Sequence, residues 1–198
     1  MTNANDLRNW LKSLPNKLTL ARIAVIPVLV LLYPFNVSFI NFFCAVVFAA
    51  AAMTDFFDGY LARKYGTTSR LGAILDPIAD KLLTTAALIL LTNSGRLPAI
   101  MVTLLLCRDI AVNGLRLMAA EQTMAVPVSN LGKVKSAVLD LAIFCLMFDY
   151  GNLRTGGIVA IWISLVLSYY SGYLYWHEFW KKANFGPDPL TSDEPRAS

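Results

Sequence analysis

The stretch TDFFDGYLARKYGTTSRLGAILDPIADK, residues Thr54–Lys81, places an acidic motif inside an otherwise apolar chain. Asp55 and Asp58 lie three residues apart, and Asp76 and Asp80 lie four residues apart. In a helix, each of these spacings puts both carboxylates on one face. A short polar Gly-Thr-Thr-Ser run between the pairs predicts a turn, so that the two helices return antiparallel and the two acidic pairs face each other.

The rest of the chain is apolar enough to indicate an integral membrane protein. Of its 198 residues, 57% are hydrophobic and 15% are charged, whereas soluble domains carry about 25% charged residues. The apolar residues come in long runs, which excludes a disordered chain, a disulfide-rich secreted scaffold and a coiled coil. The formal net charge of +4 is typical of the basic loops of a membrane protein, and we expect no nucleic-acid partner.

Six apolar runs approach the roughly 20 residues that a helix needs to cross a bilayer. They cover about 18–33, 37–53, 72–91, 97–120, 134–150 and 156–176. The helical pattern of the second run continues to about Lys64. The predicted fold class is therefore an all-α membrane protein with six transmembrane helices.

The two ends of the chain differ from this membrane domain, which we place at residues 18–182. Asp6–Leu14 alternates polar and apolar residues at helical spacing, which makes 1–17 a juxtamembrane segment with an amphipathic helix on the membrane surface. Residues 183–198 are polar and rich in proline, and this composition predicts a disordered tail.

The positions of the basic residues predict the orientation in the membrane. An even number of spans puts both termini on one side, and that side would hold most of the 17 Lys and Arg residues. The other side would hold only Arg96 and Arg154, with Lys81 just inside the third span. Because basic loops face the cytoplasm, we expect a multi-pass protein whose termini and acidic motif lie on the cytoplasmic side.

Four carboxylates gathered at membrane depth would repel one another and lose hydration. Either several of them become protonated or cations bind among them. No histidine or cysteine lies within the acidic stretch, and oxygen ligands alone suit hard cations such as Mg²⁺ or Mn²⁺. Four carboxylates can hold two such ions about 3.5–4 Å apart, an arrangement that suits phosphoryl chemistry.

Small residues accompany the acidic ones. Gly59, Ala62 and Gly72 would let a bulky ligand approach the helix backbone closely. Arg63 adds a fixed positive charge that suits a phosphate. In the alternative interpretation, the glycines serve helix packing and the aspartates are hydrated helix ends, but this leaves unexplained why four acids and three small residues occur together.

The pattern Asp55-x2-Asp58-Gly59-x2-Ala62-Arg63-x8-Gly72-x3-Asp76-x3-Asp80 resembles the full signature of the CDP-alcohol phosphatidyltransferases. The six-span layout is similar too, so the resemblance covers most of the chain. Such enzymes move a phosphatidyl or similar group from a CDP-linked donor to an alcohol and release CMP. The resemblance implies a bacterial-type inner-membrane enzyme that forms a homodimer.

The resemblance also implies roles for single residues. The four aspartates would hold two divalent ions, Mg²⁺ or Mn²⁺, and Asp80 matches the catalytic aspartate, which is suited to take the proton of the acceptor hydroxyl. We expect direct transfer, because no residue stands out as a covalent nucleophile. The residues expected to line the CDP site are Asp58, Gly59, Ala62, Arg63, Ser69 and Gly72.

Basic residues in the later spans indicate the nature of the acceptor. Arg108 and Arg116 lie eight residues apart in the fourth span, close to one helix face, and Lys133 and Lys135 begin the fifth. Cations at such positions are functional by default, and a cluster of them suits an anionic acceptor such as an alcohol phosphate. Alternatively, Asp109 neutralises one arginine, and Arg116 and Lys135 reach toward lipid headgroups.

Two stretches resemble motifs of the phosphatidylglycerophosphate synthases, a branch of that family. They are Asn16-x2-Thr19-x2-Arg22 followed by Pro27, and Arg108-Asp109 with Arg116, then Ser129-x2-Gly132-Lys133-x-Lys135-Ser136. The implied acceptor is sn-glycerol 3-phosphate, and the implied products are phosphatidylglycerophosphate and CMP. By this resemblance Asn16, Thr19 and Arg22 join the CDP-diacylglycerol site. The residues that it implies for binding the acceptor phosphate are Arg108, Arg116, Lys133 and Lys135.

Two alternatives remain at this stage. One is another enzyme of the same family, a phosphatidylserine, phosphatidylinositol-phosphate or cardiolipin synthase, which would differ in its acceptor. The other is a small cation transporter or channel. A cation pathway would spread acids over several spans, whereas here the main acids concentrate at one end of two helices and only Asp109 and Asp140 are isolated.

Overall fold

A computed structural model describes residues 14–65, 70–121, 130–148 and 150–182 of the protein. Side chains are described over 19–54, 75–120, 134–148 and 150–181, and at residue 132. The amphipathic helix predicted at Asp6–Leu14 lies almost wholly outside the described residues. The tail predicted at 183–198 lies outside them as well.

The described residues form six α-helices and contain no β-strand. The helices are α1 (Leu14–Leu32), α2 (Ser38–Tyr65), α3 (Arg70–Asn93), α4 (Ala99–Glu121), α5 (Asn130–Phe148) and α6 (Leu153–Lys182). Each predicted apolar run corresponds to one helix, so the all-helical fold class is confirmed. The continuation of the second run to about Lys64 is confirmed too, because α2 ends at Tyr65.

The helix ends differ from the predicted ones by several residues. The largest difference is in α6, which continues to Lys182, whereas the apolar run ends near Trp176. A hydropathy pattern detects where apolar side chains stop, but the backbone hydrogen bonds of a helix continue through polar residues. Most of the helices are therefore longer than the apolar segments that reveal them.

The helices pack as a bundle with an uneven distribution of contacts. The most extensive packing joins α5 to α6, and α1 packs against both α2 and α3. Helix α4 rests mainly on α6, whereas its contact with α3 is small. The buried core includes Leu29, Phe48, Leu91, Ile143 and Ile161. The weak α3–α4 contact leaves space between these two helices.

Short connections make successive helices run in opposite directions. The starts of α1, α3 and α5 and the ends of α2, α4 and α6 therefore meet at one end of the bundle, which we call the site end. The side-chain contacts agree with this arrangement, because Thr19 near the start of α1 contacts Asp76 near the start of α3. Likewise, Arg108 near the middle of α4 contacts Ser171 in the second half of α6.

Arg96 holds the opposite end of the bundle together. Arg96 comes three residues after the end of α3, and it is 5% exposed. One guanidinium nitrogen donates to the Tyr33 hydroxyl at 2.7 Å and to the Met147 carbonyl at 2.9 Å, and the other donates to Asn36 Oδ1 at 2.8 Å. The guanidinium also lies 5.3 Å from the centre of the Tyr33 ring. One side chain thus ties the α1–α2 and α3–α4 turns to the end of α5.

The surface of the bundle is apolar. Leu31 is 71% exposed, Phe39 77% and Ile110 72%, whereas the buried interior contains polar side chains such as Asn41 and Ser164. Large apolar side chains exposed over so much of the surface are unusual for a soluble protein. Among the described residues, one helix, Leu153–Lys181, is both long and apolar enough to cross a membrane, with two shorter apolar helices at Thr19–Phe35 and Ser38–Thr54.

Replacing Arg96 by Ala is expected to lower the Tm in detergent micelles by about 5–10 °C, because it leaves several buried oxygen acceptors without a donor. Arg154→Ala is the matched control, since Arg154 is exposed at the same end and its described contact is a 3.4 Å bond to the Gly95 carbonyl. The control should shift Tm by less than about 2 °C. Equal losses in both variants would contradict the role assigned to Arg96.

Candidate active site

The helices bring most of the candidate site residues to the site end. The starts of α1 and α3 carry Thr19, Arg22, Asp76 and Asp80, the end of α2 carries Asp55 and Asp58, and α4 and α5 carry Arg108 and Lys135. These residues form an acidic part, between α1, α2 and α3, and a basic part, between α3, α4, α5 and α6.

In the acidic part, α3 presents two carboxylates. Asp76 and Asp80 lie one turn apart on one face, and both are half-buried. The hydroxyl of Thr19 donates a hydrogen bond to Asp76 Oδ1, which orients this carboxylate and joins α1 to α3. Thr19 and Asp76 lie 57 residues apart in the sequence, so it is the packing of α1 on α3 that brings them together.

The other two aspartates lie on α2, and their side chains are outside the described residues. Their positions along the helix are defined, because Asp55 and Asp58 precede its last residue, Tyr65, by ten and seven residues. Asp80 and Asp76 follow the first residue of α3, Arg70, by ten and six residues. At about 1.5 Å per residue, each aspartate of α2 has a counterpart on α3 at a similar distance from the adjoining helix ends.

The donor set fits a hard divalent cation. The described part of α3 contributes carboxylate oxygens, and Thr19 contributes a hydroxyl that already binds Asp76. Oxygen donors of this kind suit Mg²⁺ or Mn²⁺ rather than softer metals. Within the described side chains, no group of three or more His, Cys, Asp or Glu residues is placed to hold a metal.

Arg22 is buried beside the acidic part. It is 2% exposed, and its Nε donates to the Ala51 carbonyl of α2 at 3.4 Å. Ala51 lies one helical turn before Asp55. A buried guanidinium near a carboxylate cluster provides positive charge for an anionic ligand.

The basic part centres on Asp109 of α4, and we call it the Asp109 cluster: Asp109 with Lys81, Arg108 and Lys135. Lys135 Nζ lies 2.6 Å from Asp109 Oδ1, and Arg108 lies 3.0 Å from the same oxygen. Lys81 Nζ lies 2.8 Å from Asp109 Oδ2. The structure thus brings Arg108 and Lys135 together, as the sequence analysis expects, and adds Lys81.

Helix α6 completes the surroundings of Arg108. The Nη2 atom of Arg108 donates to Ser171 Oγ at 2.7 Å, and Ser171 Oγ in turn donates to the Ser168 carbonyl at 3.1 Å. A Cβ atom on Gly172 would lie only 3.1 Å from Arg108 Nε, so glycine at this position lets α6 pack directly on the guanidinium. This buried Nε has no hydrogen-bond partner among the described residues.

The two remaining residues predicted to bind the acceptor are Arg116 and Lys133. Arg116, two turns beyond Arg108, is exposed, and its guanidinium lies 5.7 Å from the centre of the Tyr175 ring on α6. Its described contact therefore places it outside the Asp109 cluster. Lys133 belongs to α5, but its side chain lies outside the described residues.

A cavity of about 190 Å³ opens beside the Asp109 cluster. It lies where α3 and α4 separate, with Leu139 of α5 on its wall. The polar side chains that line it include Lys81, Asp109 and Asn113, and the rest of its lining is largely aliphatic. Two charged groups of the cluster are therefore accessible from this cavity.

Sequence reasoning missed Lys81, Ser171 and Gly172. The sequence analysis places Lys81 just inside the third span, and its partner Asp109 is 28 residues away. The Ser-Gly pair in α6 resembles a packing site, and Arg108 is 63 residues away. The available signal is the polarity of Lys81 and Ser171 within long apolar helices, which does not identify the partner.

Comparisons with known proteins identify the family of the chain. A sequence model of the CDP-alcohol phosphatidyltransferase family matches residues 12–170. A protein of Rickettsia typhi named CDP-diacylglycerol–glycerol-3-phosphate 3-phosphatidyltransferase is 40% identical over 172 residues, which cover 83% of this chain and 96% of the relative. Proteins of the same name from Bacillus subtilis and Pectobacterium atrosepticum are each 37% identical, over 85% and 82% of this chain and 96% and 92% of the relatives.

The family match begins before α1, ends within α6, and includes the acidic part and the whole Asp109 cluster. The aligned relatives correspond to this chain over nearly their full length. The chain belongs to the CDP-alcohol phosphatidyltransferase family.

Proposed function

We propose that this protein transfers the phosphatidyl group of CDP-diacylglycerol to sn-glycerol 3-phosphate, giving phosphatidylglycerophosphate and CMP. The observation that carries the proposal is that two adjacent residues of α3 belong to the two different parts of the candidate site. Asp80 belongs to the acidic part, and the next residue, Lys81, belongs to the Asp109 cluster. An enzyme for this reaction needs a carboxylate site for the reacting phosphates next to cations for the acceptor phosphate. The names of the relatives support the same substrates.

The four aspartates Asp55, Asp58, Asp76 and Asp80 would hold two divalent ions, Mg²⁺ or Mn²⁺. The antiparallel course of α2 and α3 supports this assignment, because it sets the two aspartates of α2 near the level of those on α3. When bound, such ions neutralise charge on the phosphates that react.

The CDP-diacylglycerol site would lie on the acidic side. Thr19 and Arg22 of α1 support this placement, since one binds Asp76 and the other is buried beside α2. The remaining residues proposed for this site have side chains outside the described residues: Asn16, Asp58, Gly59, Ala62, Arg63, Ser69 and Gly72. Arg63 would supply a fixed charge for the pyrophosphate.

The acceptor would bind on the basic side, with its phosphate at Arg108 and Lys135 and its reactive hydroxyl toward Asp80. Arg116 and Lys133 are proposed for the outer part of this site. The cavity of about 190 Å³ is smaller than the 300–1,000 Å³ pockets of drug-sized ligands. It therefore suits a small alcohol phosphate better than a second lipid.

The phosphatidyl group would pass directly from the donor to the acceptor, without a covalent bond to the enzyme. The Asp80 carboxylate accepts the proton of the acceptor hydroxyl. The hydroxyl oxygen forms a bond to the phosphatidyl phosphorus, and the bond from that phosphorus to the CMP oxygen breaks. Arg108 and Lys135 hold the acceptor phosphate, which fixes the direction of attack.

We further propose that all six helices span a bacterial-type inner membrane, with residues 18–182 as the membrane domain and both termini in the cytoplasm. The exposed apolar side chains support this, since such a surface is stable in lipid rather than in water. The position of Arg96 and Arg154 at the end opposite the site supports the orientation. A homodimer in the bilayer is part of the same proposal.

The purified protein is expected to release CMP only when CDP-diacylglycerol, glycerol 3-phosphate and a divalent cation are all present. The measurement is CMP release with a panel of acceptors in mixed micelles, with EDTA as the metal control. Preferred use of serine, an inositol phosphate or phosphatidylglycerol would assign another activity of the family. Cation flux in proteoliposomes without any CMP release would favour a transporter instead.

Asp80→Asn is expected to lower turnover by about 10²–10⁴-fold, because the amide cannot accept the hydroxyl proton. Binding of CDP-diacylglycerol in the presence of Mg²⁺ should be largely kept, since three carboxylates remain. The control is Glu178→Gln, the same type of change on α6 outside both clusters. Turnover that matches the control would refute the role of Asp80 as the base.

Arg108→Ala is expected to raise the KM for glycerol 3-phosphate by about tenfold or more, while the KM for CDP-diacylglycerol changes far less. The reason is that Arg108 lies in the basic part, on the acceptor side of Asp80. Arg154→Ala serves as the matched control, because it removes an exposed arginine at the other end of the bundle. A similar rise in both KM values would mean that Arg108 supports the fold and not the acceptor phosphate.

A further inference from the structure

We propose that Asp109 is the positioning residue of the acceptor site, and that it makes the site selective for phosphate monoesters of small alcohols. Its carboxylate holds three cationic side chains in place before the acceptor arrives; they are Lys81, Arg108 and Lys135. The proposal rests on the proposed function, because it explains how that reaction selects its acceptor.

The geometry of the carboxylate supports this role. Oδ1 accepts from Lys135 and Arg108 at 2.6 and 3.0 Å, and Oδ2 accepts from Lys81 at 2.8 Å. Both oxygens are therefore used. The three cations belong to α3, α4 and α5, so one side chain sets the relative positions of cationic groups on three helices.

Without this carboxylate the cations would separate. Lys135 and Arg108 contact the same oxygen, so their nitrogen atoms lie within about 6 Å of each other, where like charges repel strongly outside bulk water. Their side chains are only 5% and 10% exposed. They cannot both turn toward water, and an uncompensated buried charge is costly.

The charge of the cluster matches the proposed acceptor. Three cations and one carboxylate leave a formal excess of two positive charges. A phosphate monoester carries about −1.5 to −2 at neutral pH, so its binding would neutralise the cluster. An acceptor without a phosphate would leave this charge uncompensated, and the site would discriminate against it.

Access to the cluster is from the cavity between α3 and α4. Lys81 and Asp109 line this cavity, and Lys81 keeps 40% of its side chain exposed. A phosphate that enters there meets Lys81 first, next to Asp80. Asp109 itself is a poor candidate for the base, because both of its oxygens already accept hydrogen bonds from cations.

The test compares Asp109→Asn, which removes the charge at nearly constant volume, with Asp109→Glu, which keeps it. For Asp109→Asn, the KM for glycerol 3-phosphate should rise by about tenfold or more, while the KM for CDP-diacylglycerol stays within about twofold. The ratio of kcat/KM for glycerol 3-phosphate to that for glycerol should fall by a similar factor. Asp109→Glu should recover part of both losses, and Glu178→Gln should match the wild type.

Several outcomes would overturn the proposal. One is an acceptor KM in Asp109→Asn that equals or falls below that of the wild type, and another is an equal rise in both KM values. If Asp109→Asn does not fold, Asp109→Glu decides: a raised KM for the acceptor alone supports the proposal, and wild-type values for both substrates overturn it.

The same experiment separates this proposal from the proposed function. A wild-type protein that releases CMP without any dependence on glycerol 3-phosphate would refute both. A wild-type protein that depends on glycerol 3-phosphate, together with an Asp109→Asn variant that keeps the wild-type acceptor KM, would refute the role of Asp109 alone.

Discussion

A charged side chain between apolar helices is stable only where other groups compensate it. This constraint governs both ends of the bundle. At one end, Arg96 is surrounded by hydroxyl, amide and carbonyl oxygens of three segments, and it acts as a fixed brace. At the site end, Asp109 is surrounded by cations that exceed its own charge. The contacts of Arg96 hold three segments of the bundle together. The cations around Asp109 leave an excess of positive charge that an anionic ligand would neutralise.

The alternating direction of the helices explains why the charged groups gather at one end. Chemistry at a membrane surface needs side chains from many helices at one depth, and each helix passes that depth once. The candidate site residues accordingly lie in the first half of α1, α3 and α5, near the middle of α4 and in the second half of α6. Helix α3 is central, because it contacts α1 through Asp76 and α4 through Lys81.

Much of the fold and part of the site could be predicted from the sequence. The six helices were predictable because apolar runs reveal them, and the acidic motif because its residues are close together in the chain. The partners of Arg108 and Lys135 were not, since they depend on how each helix is rotated and which helix it packs against. The sequence suggests Asp109 as the partner of one arginine, whereas in the structure its carboxylate contacts three cationic side chains. Nothing in the sequence identifies the partner of Ser171 and Gly172, because their role depends on the approach of α6 to Arg108.

The adjacency of Asp80 and Lys81 has a geometric consequence for the acceptor. Consecutive residues of a helix point about 100° apart, so one side chain can face the acidic part while its neighbour faces Asp109. This one-residue step along α3 separates the proposed base from the nearest proposed phosphate-binding cation by a nearly fixed distance. In the proposed reaction, an acceptor would have to match that distance between its reactive hydroxyl and its phosphate. Selection of the alcohol would then combine two requirements, a charge that neutralises the Asp109 cluster and a length set by a single helical step.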